Sequence, residues 1–413
     1  VFPSSREVRL IDTPESVLAG PTEVKLRILE AGICGTDREI TSFQYGTPPA
    51  DFPHLVIGHE ALGEVIDVGS GVTGLAPGDL AVLMVRRPCP HDGCAPCSRG
   101  RPDFCITGDF TERGIKGAHG YMTEFVVDDQ RYMVKVPQEL REVAVLLEPL
   151  TVAEKAAEQV RALAARLPGE LKNDPRNIRA VVLGAGPIGL LGAMKLVNAG
   201  VPTWVYSRDN ADSPNVRIVS AIGARFVSSA EHSPAELAAM VGHIGVVYEA
   251  TGAAKVSFDV LSVLGVNGVF IFTGVPGIVA PIEIDAERIM RNLVLNNQVI
   301  CGTVNAGRAA FEEGVQDLTS FVKRFPAALS AMITARRDGT VVSVNGEQIV
   351  VRPDLDKAEM VQDFTESAGN EEISVGHVVV AILDERDAYA AHFLAEQSVT
   401  RLDVVSYIAH GRA

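Results

Sequence analysis

Gly184-Ala185-Gly186-Pro187-Ile188-Gly189 follows directly on an apolar, β-branched run, Asn177–Leu183, and leads into Leu190–Ala199, which patterns as a helix. Strand, glycine-rich turn and helix in that order are what a pyrophosphate-binding β-α turn requires. Gly184 permits the tight turn, Gly186 lets backbone amides approach the anion, and Gly189 lets the helix pack closely on the strand. The helix N-terminus adds partial positive charge. Without a ligand the same residues are a plain β-α turn. Further strands are predicted at Thr203–Tyr206, Val246–Glu249 and Gly268–Phe272, alternating with helical stretches, which argues for a doubly wound parallel sheet. Thr251 and Thr273 fall at strand carboxyl ends, where such sheets bind ligands. The second strand runs into Ser207-Arg208-Asp209. An acid there binds the ribose hydroxyls of NAD, whereas an arginine suits the 2′-phosphate of NADP. Ser207 and Arg208 come first and favour NADP; Asp209 keeps NAD open.

The half upstream of this motif is different. Residues 1–150 carry short β-branched runs between turn signals, at Val24–Leu29, Ala61–Val68, Leu80–Val85, Met122–Val127 and Tyr132–Val136, and predict an irregular β-barrel with functional loops. Four of the chain's six cysteines, Cys89, Cys94, Cys97 and Cys105, crowd into one short stretch. Such spacing suits closed tetrahedral thiolate ligation of Zn²⁺, with Arg86, Arg87, Arg99 and Arg101 nearby to offset the thiolate charge. Cys34, the pair His59-Glu60, and Glu148 supply a second, mixed set of thiolate, imidazole and carboxylate. That set leaves a coordination position for substrate, and Thr36, two residues after Cys34, offers a hydroxyl to carry a proton outward. Taken singly, each of these residues reads as core or surface; their conjunction points to one structural and one catalytic zinc.

At 413 residues, with 47% hydrophobic residues, the chain has material for at least two domains with large cores. A net charge of −15 argues against nucleic-acid or anionic-membrane surfaces. No apolar run approaches the ~20 residues of a membrane span, and no export signal is seen, so reduced thiols and a cytoplasmic location are expected.

Residues 1 to about 335 resemble the zinc-dependent medium-chain dehydrogenase/reductases, and their glucose dehydrogenase branch in particular. The pattern Gly58-His59-Glu60-x-x-Gly63-x5-Gly69-x-x-Val72 matches the family's zinc signature, and Cys34-Gly35-Thr36-Asp37-Arg38-Glu39 and Glu148-Pro149-Leu150-Thr151-Val152-Ala153-Glu154-Lys155 resemble the glucose branch. The resemblance implies an α/β chain in three parts: a GroES-like barrel over 1–155, a Rossmann NAD(P)-binding domain over 156–335, and an atypical tail over 336–413. It implies two zinc ions per chain, one held by Cys34, His59, Glu60 and Glu148 and one by the four clustered cysteines. It further implies cofactor contacts from Gly184, Gly186, Pro187, Ile188, Gly189, Ser207, Arg208, Thr251, Thr273 and Asn305, and sugar contacts from Glu112, Asn296 and Asn305. The implied reaction oxidises the C1 hydroxyl of an aldose, glucose or galactose, to the lactone with hydride transfer to NADP or NAD; Thr36 relays the proton. Homodimers or homotetramers are the expected assembly.

Past Arg336 the family's segment returning to the catalytic domain is not found. Asp338–Arg352 alternates like strands, and roughly Asp356–Gly411 resembles half of the helical double repeat that forms the N-terminal domain of Clp-type ATPase chaperones, a domain that docks adaptors. Two other functions stay open: another polyol or secondary-alcohol dehydrogenase of the same family, or a non-catalytic interaction protein presenting this tail.

Overall fold

The structure is a computed structural model that describes residues 1–168, 178–276 and 281–332, together with the backbone of 339–344 and 349–353. Its N-terminal part comprises β1 (Glu23–Gly32), α1 (Gly35–Thr41), β2 (Glu60–Val68), β3 (Leu80–Leu83), β4 (Arg86–Arg87), α2 (Ala95–Ser98), β5 (Thr111–Arg113), β6 (Gly117–Ala118), β7 (Phe125–Asp129) and β8 (Met133–Val136). Five of these strands form an antiparallel sheet in the order β7-β1-β2-β3-β8, and β4, β5 and β6 form a small second sheet. Alternation buries Val24 and Leu26 of β1 against Ala61 and Val65 of β2, with Tyr121 and Met133 closing that core. The strand expected at Met122–Val127 begins three residues later. Tyr121 and Met122 instead donate their amides to Gly58 and Ile57, which ties them to the entry of β2.

Helix α3 (Leu147–Ala164) leads out of this part. The Rossmann half follows: β9 (Arg179–Leu183), α4 (Pro187–Asn198), β10 (Thr203–Ser207), α5 (Pro214–Ile222), β11 (Arg225–Ser228), α6 (Pro234–Val241), β12 (Ile244–Glu249), α7 (Ala254–Leu261), β13 (Val269–Phe272), α8 (Ala286–Leu295), β14 (Val299–Gly302), α9 (Arg308–Arg324) and α10 (Pro326–Met332). Six parallel strands lie in the order β11-β10-β9-β12-β13-β14, which is a doubly wound sheet with its topological switch between β9 and β12. Local chemistry sets the helix starts. Pro187, Pro214 and Pro234 each occupy a first turn, Ser213 caps Val216, and Ser233 with Glu236 forms a capping box.

One apolar core runs through both halves. Leu62, Val82 and Val134 of the barrel, Leu147 and Leu150 of α3, and Leu191, Val205, Ile271, Phe311 and Phe321 of the Rossmann half belong to the same cluster. Residues 1–334 with 343–349 form one compact unit, and residue 155, the expected division, falls inside α3. Trp204 is buried on the opposite face of the parallel sheet with Arg225 over its ring, a packing role. The alternation expected over 338–352 corresponds to β15 (Gly339–Val344) and β16 (Ile349–Pro353), which make a two-stranded sheet. The second compact unit comprises 335–342 and 350–413. The Clp-like stretch lies outside the described residues. Among the described residues no helix is long and apolar enough to cross a membrane.

Candidate active site and metal centres

Cys34 is the N-cap of α1, just past the end of β1, while His59 and Glu60 stand where the chain enters β2. The β1–β2 ladder pairs Gly32 with Glu60, and that pairing gathers the three residues. Glycine is needed at 32 because a Cβ there would run into the Glu60 carboxylate. The ligating atoms of Cys34, His59 and Glu60 lie within 4.8 Å of one another, little more than the span of two opposed metal bonds of roughly 2.0–2.3 Å each. Asp37, wholly buried, holds the group. Its Oδ2 accepts from the Cys34 amide at 2.9 Å, and its Oδ1 accepts from the Gly58 amide at 3.2 Å and lies 3.5 Å from His59 Nδ1.

The electrostatics of this pocket are one-sided. Burial disfavours a charged His59, but Asp37, Cys34 and Glu148 outweigh it and hold its pKa well above the usual value. Burial raises the Glu60 carboxyl against the pull of His59. Burial also pushes Glu148 up to about 8, opposed by His59 and reinforced by Glu60, Asp37 and Glu112. A thiol and three carboxyls around one imidazole leave a site short of positive charge, and the sulfur, nitrogen and oxygen donors fit zinc with a free position. Glu148, in the first turn of α3, stands beside the three-residue group and not within it. Thr36 Oγ1 lies 3.9 Å from Cys34 Sγ.

The four clustered cysteines fit a closed site. All are free thiols, their sulfurs lie within 4.8 Å of one another, and Cys94 Sγ is 3.9 Å from Cys105 Sγ. The edge of a ZnS₄ tetrahedron with 2.3 Å bonds is about 3.8 Å, so the sulfurs stand at ligand spacing and far beyond disulfide length. Burial pushes Cys97 up to about 12, whereas hydrogen bonds from Thr107 and Gly108 overcome burial and take Cys105 down to about 6. Three of the four neighbouring arginines do not serve the thiolates as expected. Arg86 pairs with Glu112, Arg87 with Asp128, and Arg101 with Asp103 and Glu158, because a carboxylate fits the guanidinium fork. His91 is exposed and paired with Asp109.

The glycine turn has the anticipated geometry. Gly184 sits at φ +98°, and a Cβ on it would meet Thr251 Cγ2 at 2.7 Å; a Cβ on Gly189 would collide with the Gly184 carbonyl oxygen. Gly186 faces open space and caps α4, with Pro187 and Ile188 in the first turn. Thr251 donates to Glu249 Oε1 at 2.6 Å and Thr273 to the Glu249 carbonyl at 2.6 Å, so a buried acid fixes both loops beside the turn. At the end of β10, Arg208 is exposed, while Asp209 is engaged by Ser207 at 2.6 Å and Asn215 at 3.1 Å.

Glu112 and Asn305 meet across the two halves, with Asn305 Nδ2 donating to Glu112 Oε1 at 2.9 Å. Arg86 donates twice to the same oxygen, at 3.1 and 2.9 Å, which leaves Oε2 with no donor among the described residues. Asn296 is not brought to this place. It caps the C-terminus of α8 and its carbonyl accepts from the Asn267 amide, so it lies at the amino ends of β13 and β14, whereas Asn305 follows the carboxyl end of β14. Sequence reasoning missed Asp37 as a holder of His59, Arg86 as the partner of Glu112, and Tyr45, whose phenol feels Glu112, Arg86 and Glu39. An acid three residues after Cys34 was the one local signal available.

Two family models match the chain: the alcohol dehydrogenase GroES-like domain over residues 20–138, and the glucose dehydrogenase C-terminus over residues 141–343. The glucose 1-dehydrogenase of Methanocella arvoryzae is 38% identical over 329 residues, covering 80% of this chain and 89% of that protein. The glucose 1-dehydrogenase of Metallosphaera sedula is 39% identical over 333 residues, covering 80% and 88%. Among solved structures, the Haloferax mediterranei glucose dehydrogenase in complex with NADP, Zn and gluconolactone is 34% identical with a TM-score of 0.70, covering 77% of this chain and 87% of that one. Galactitol-1-phosphate dehydrogenase from Escherichia coli, at 20% identity and a TM-score of 0.62, shares the fold. Residues 1 to about 335 thus carry both halves of one enzyme type, and the chain belongs to the glucose dehydrogenase branch of the zinc-dependent medium-chain dehydrogenase/reductase family.

Proposed function

We propose that this chain oxidises the C1 hydroxyl of an aldose, glucose first, to the lactone and passes the hydride to NADP. The observation that carries the reading is the Glu112–Asn305 pair, a polar contact made by both halves of the molecule on the side where α3 presents Glu148 to the Cys34-His59-Glu60 group. A polyhydroxylated substrate needs such fixed polar groups beside the reacting centre. The Haloferax mediterranei relative, solved with NADP, Zn and gluconolactone, supports the same substrate class.

Cys34, His59 and Glu60 would hold the catalytic zinc, with Glu148 as an outer carboxylate, and Cys89, Cys94, Cys97 and Cys105 would hold the structural one. The bound groups supply Lewis-acid polarisation of the sugar hydroxyl and a hydride acceptor. The rest falls to the protein. Asp37 orients His59 and the Cys34 backbone, as an outer carboxylate orients a ligating imidazole. Thr36 Oγ1, half-buried beside Cys34 Sγ, takes the hydroxyl proton toward solvent. Glu112 Oε2, with Oε1 already committed to Arg86 and Asn305, accepts from a sugar hydroxyl. The dinucleotide would lie on Gly184, Gly186, Pro187, Ile188 and Gly189 and against the Thr251 and Thr273 loops.

NADP is preferred because the Asp209 carboxylate is spent on its own loop while Arg208 faces outward. Arg208→Ala is expected to lower kcat/KM for NADP by ~10–100-fold, the worth of a charge-assisted phosphate contact, and to leave NAD within about twofold. Steady-state kinetics with both cofactors check this; equal losses would place the 2′-phosphate elsewhere.

A homodimer through the nucleotide half is the assembly we propose. Helix α8 buries none of its residues and exposes Met290, Val294 and Leu295, and β14 is the edge of the six-stranded sheet with Ile300 exposed beside it. An open strand edge next to an apolar patch is an association surface. The pair Val294→Glu and Leu295→Glu is expected to halve the mass in sedimentation; an unchanged mass would exclude this face. The alternatives, another alcohol substrate or a tail-presenting interaction protein, are separated by an aldose and secondary-alcohol panel.

A further inference from the structure

The loop that follows β14 is gripped by the four-cysteine lobe at several points. Lys155, deep in α3 and with its side chain 3% exposed, places its ammonium 3.0 Å from Asp103 Oδ2 and donates to the Val304 carbonyl at 3.1 Å. Asp103 lies in the turn between Cys97 and Cys105, is itself buried, and also accepts from Arg101 at 3.0 and 2.9 Å. One residue beyond Val304, Asn305 adopts φ +59° and reaches Glu112. Two residues further, Gly307 packs so closely that a Cβ on it would stand 3.1 Å from both Arg101 Nε and Asp103 Oδ1. Phe104 closes the contact under Lys155 and Arg101, whose cationic groups lie 4.3 and 4.7 Å from its ring centre.

We propose that Lys155 is a positioning residue that couples the four-cysteine lobe to the sugar site. By binding the Asp103 carboxylate and the Val304 carbonyl together, it fixes the 303–307 loop and thereby the place of Asn305. The three donors of a buried ammonium need acceptors, and one of those that Lys155 finds is a carbonyl in the loop that carries a substrate contact. Here the same atom spans α3, the lobe and that loop, so the lobe's integrity reaches the substrate pocket through one side chain. Lys155 bonds Asp103 and Val304, and its effect on the sugar site passes through Asn305. The inference rests on the reading of Glu112 and Asn305 as sugar contacts.

The test is Lys155→Met in the zinc-loaded, full-length chain. Glucose KM is expected to rise ~10-fold or more, the effect of losing a charge-assisted bond, with kcat changed less. Amide hydrogen exchange over 303–307 is expected to rise while β14 keeps its protection. Asp103→Asn, which retains a side-chain acceptor for Arg101, is expected to give the same KM and exchange changes, and the double variant no more than either alone. If Lys155→Met does not fold, Asp103→Asn decides alone. A fall in melting temperature with unchanged KM and unchanged loop exchange would reduce Lys155 to a core ion pair and overturn the proposal. Exchange reports the coupling even if the unmodified chain does not oxidise glucose, an outcome that would instead overturn the sugar-site reading.

Discussion

Replacing His59 by alanine is expected to lower kcat for aldose oxidation by ~10³-fold or more, since Lewis-acid stabilisation is worth several kcal/mol and each 1.36 kcal/mol is a factor of ten. NADP binding should persist, because the glycine turn and the Thr251 and Thr273 loops share no contact with His59. Trp204 fluorescence or calorimetry measures the binding, and zinc analysis should fall from two ions per chain to one. The substitution also leaves Asp37 with fewer partners, although the Cys34 and Gly58 amides still satisfy it, so the fold is expected to hold. Undiminished turnover would remove the mixed-ligand group from the mechanism.

The second large effect is on stability. Lys195, on α4, sits among three carboxylates, donating to Glu154 at 2.5 Å, Glu313 at 2.7 Å and Asp317 at 2.6 Å. These acids lie within 4.8 Å of one another in a metal-like cluster, and the ammonium fills it. The cluster ties α3, α4 and α9 together at the junction of the two halves. Lys195→Met would strand the acids, and removing one partner of a buried pair costs about 3–5 kcal/mol; a fall in Tm of order 10 °C is expected. Burial, opposed by Lys195 and reinforced by Asp317, pushes Glu154 up to about 8 from the usual 4.5. Between those values the folded chain keeps a proton that the unfolded chain has lost. This group therefore lowers stability as pH rises through that window. Glu154→Gln, the isostere of the protonated acid, should flatten the slope at a cost below about 1 kcal/mol. Denaturant titrations at both ends of the window check both variants; a Lys195→Met melting point within error of the parent would show that the cluster contributes nothing.

What the sequence revealed and what it hid follow from range. The glycine turn was legible because its three roles are local, and Gly184, Gly186 and Gly189 show them in φ angle, open approach and close packing. Four nearby cysteines likewise declare a site by spacing alone. Arg86 with Glu112, Lys155 with Asp103 and Val304, and Lys195 with its three acids join residues far apart in the chain, and no periodicity marks such pairs. Arg86, Arg87 and Arg101 beside the cysteines looked like counter-charges for thiolates, but carboxylates brought in by the fold claimed them. The resemblance implied Asn296 as a sugar contact beside Asn305, yet β14 runs between them and puts them at opposite ends of the sheet.

The most direct test of the account is NADP reduction on adding D-glucose to the zinc-loaded chain. Glucose-dependent reduction that chelation abolishes and added zinc restores is expected. A chain that carries two zinc ions, binds NADP and reduces it with no aldose would contradict it.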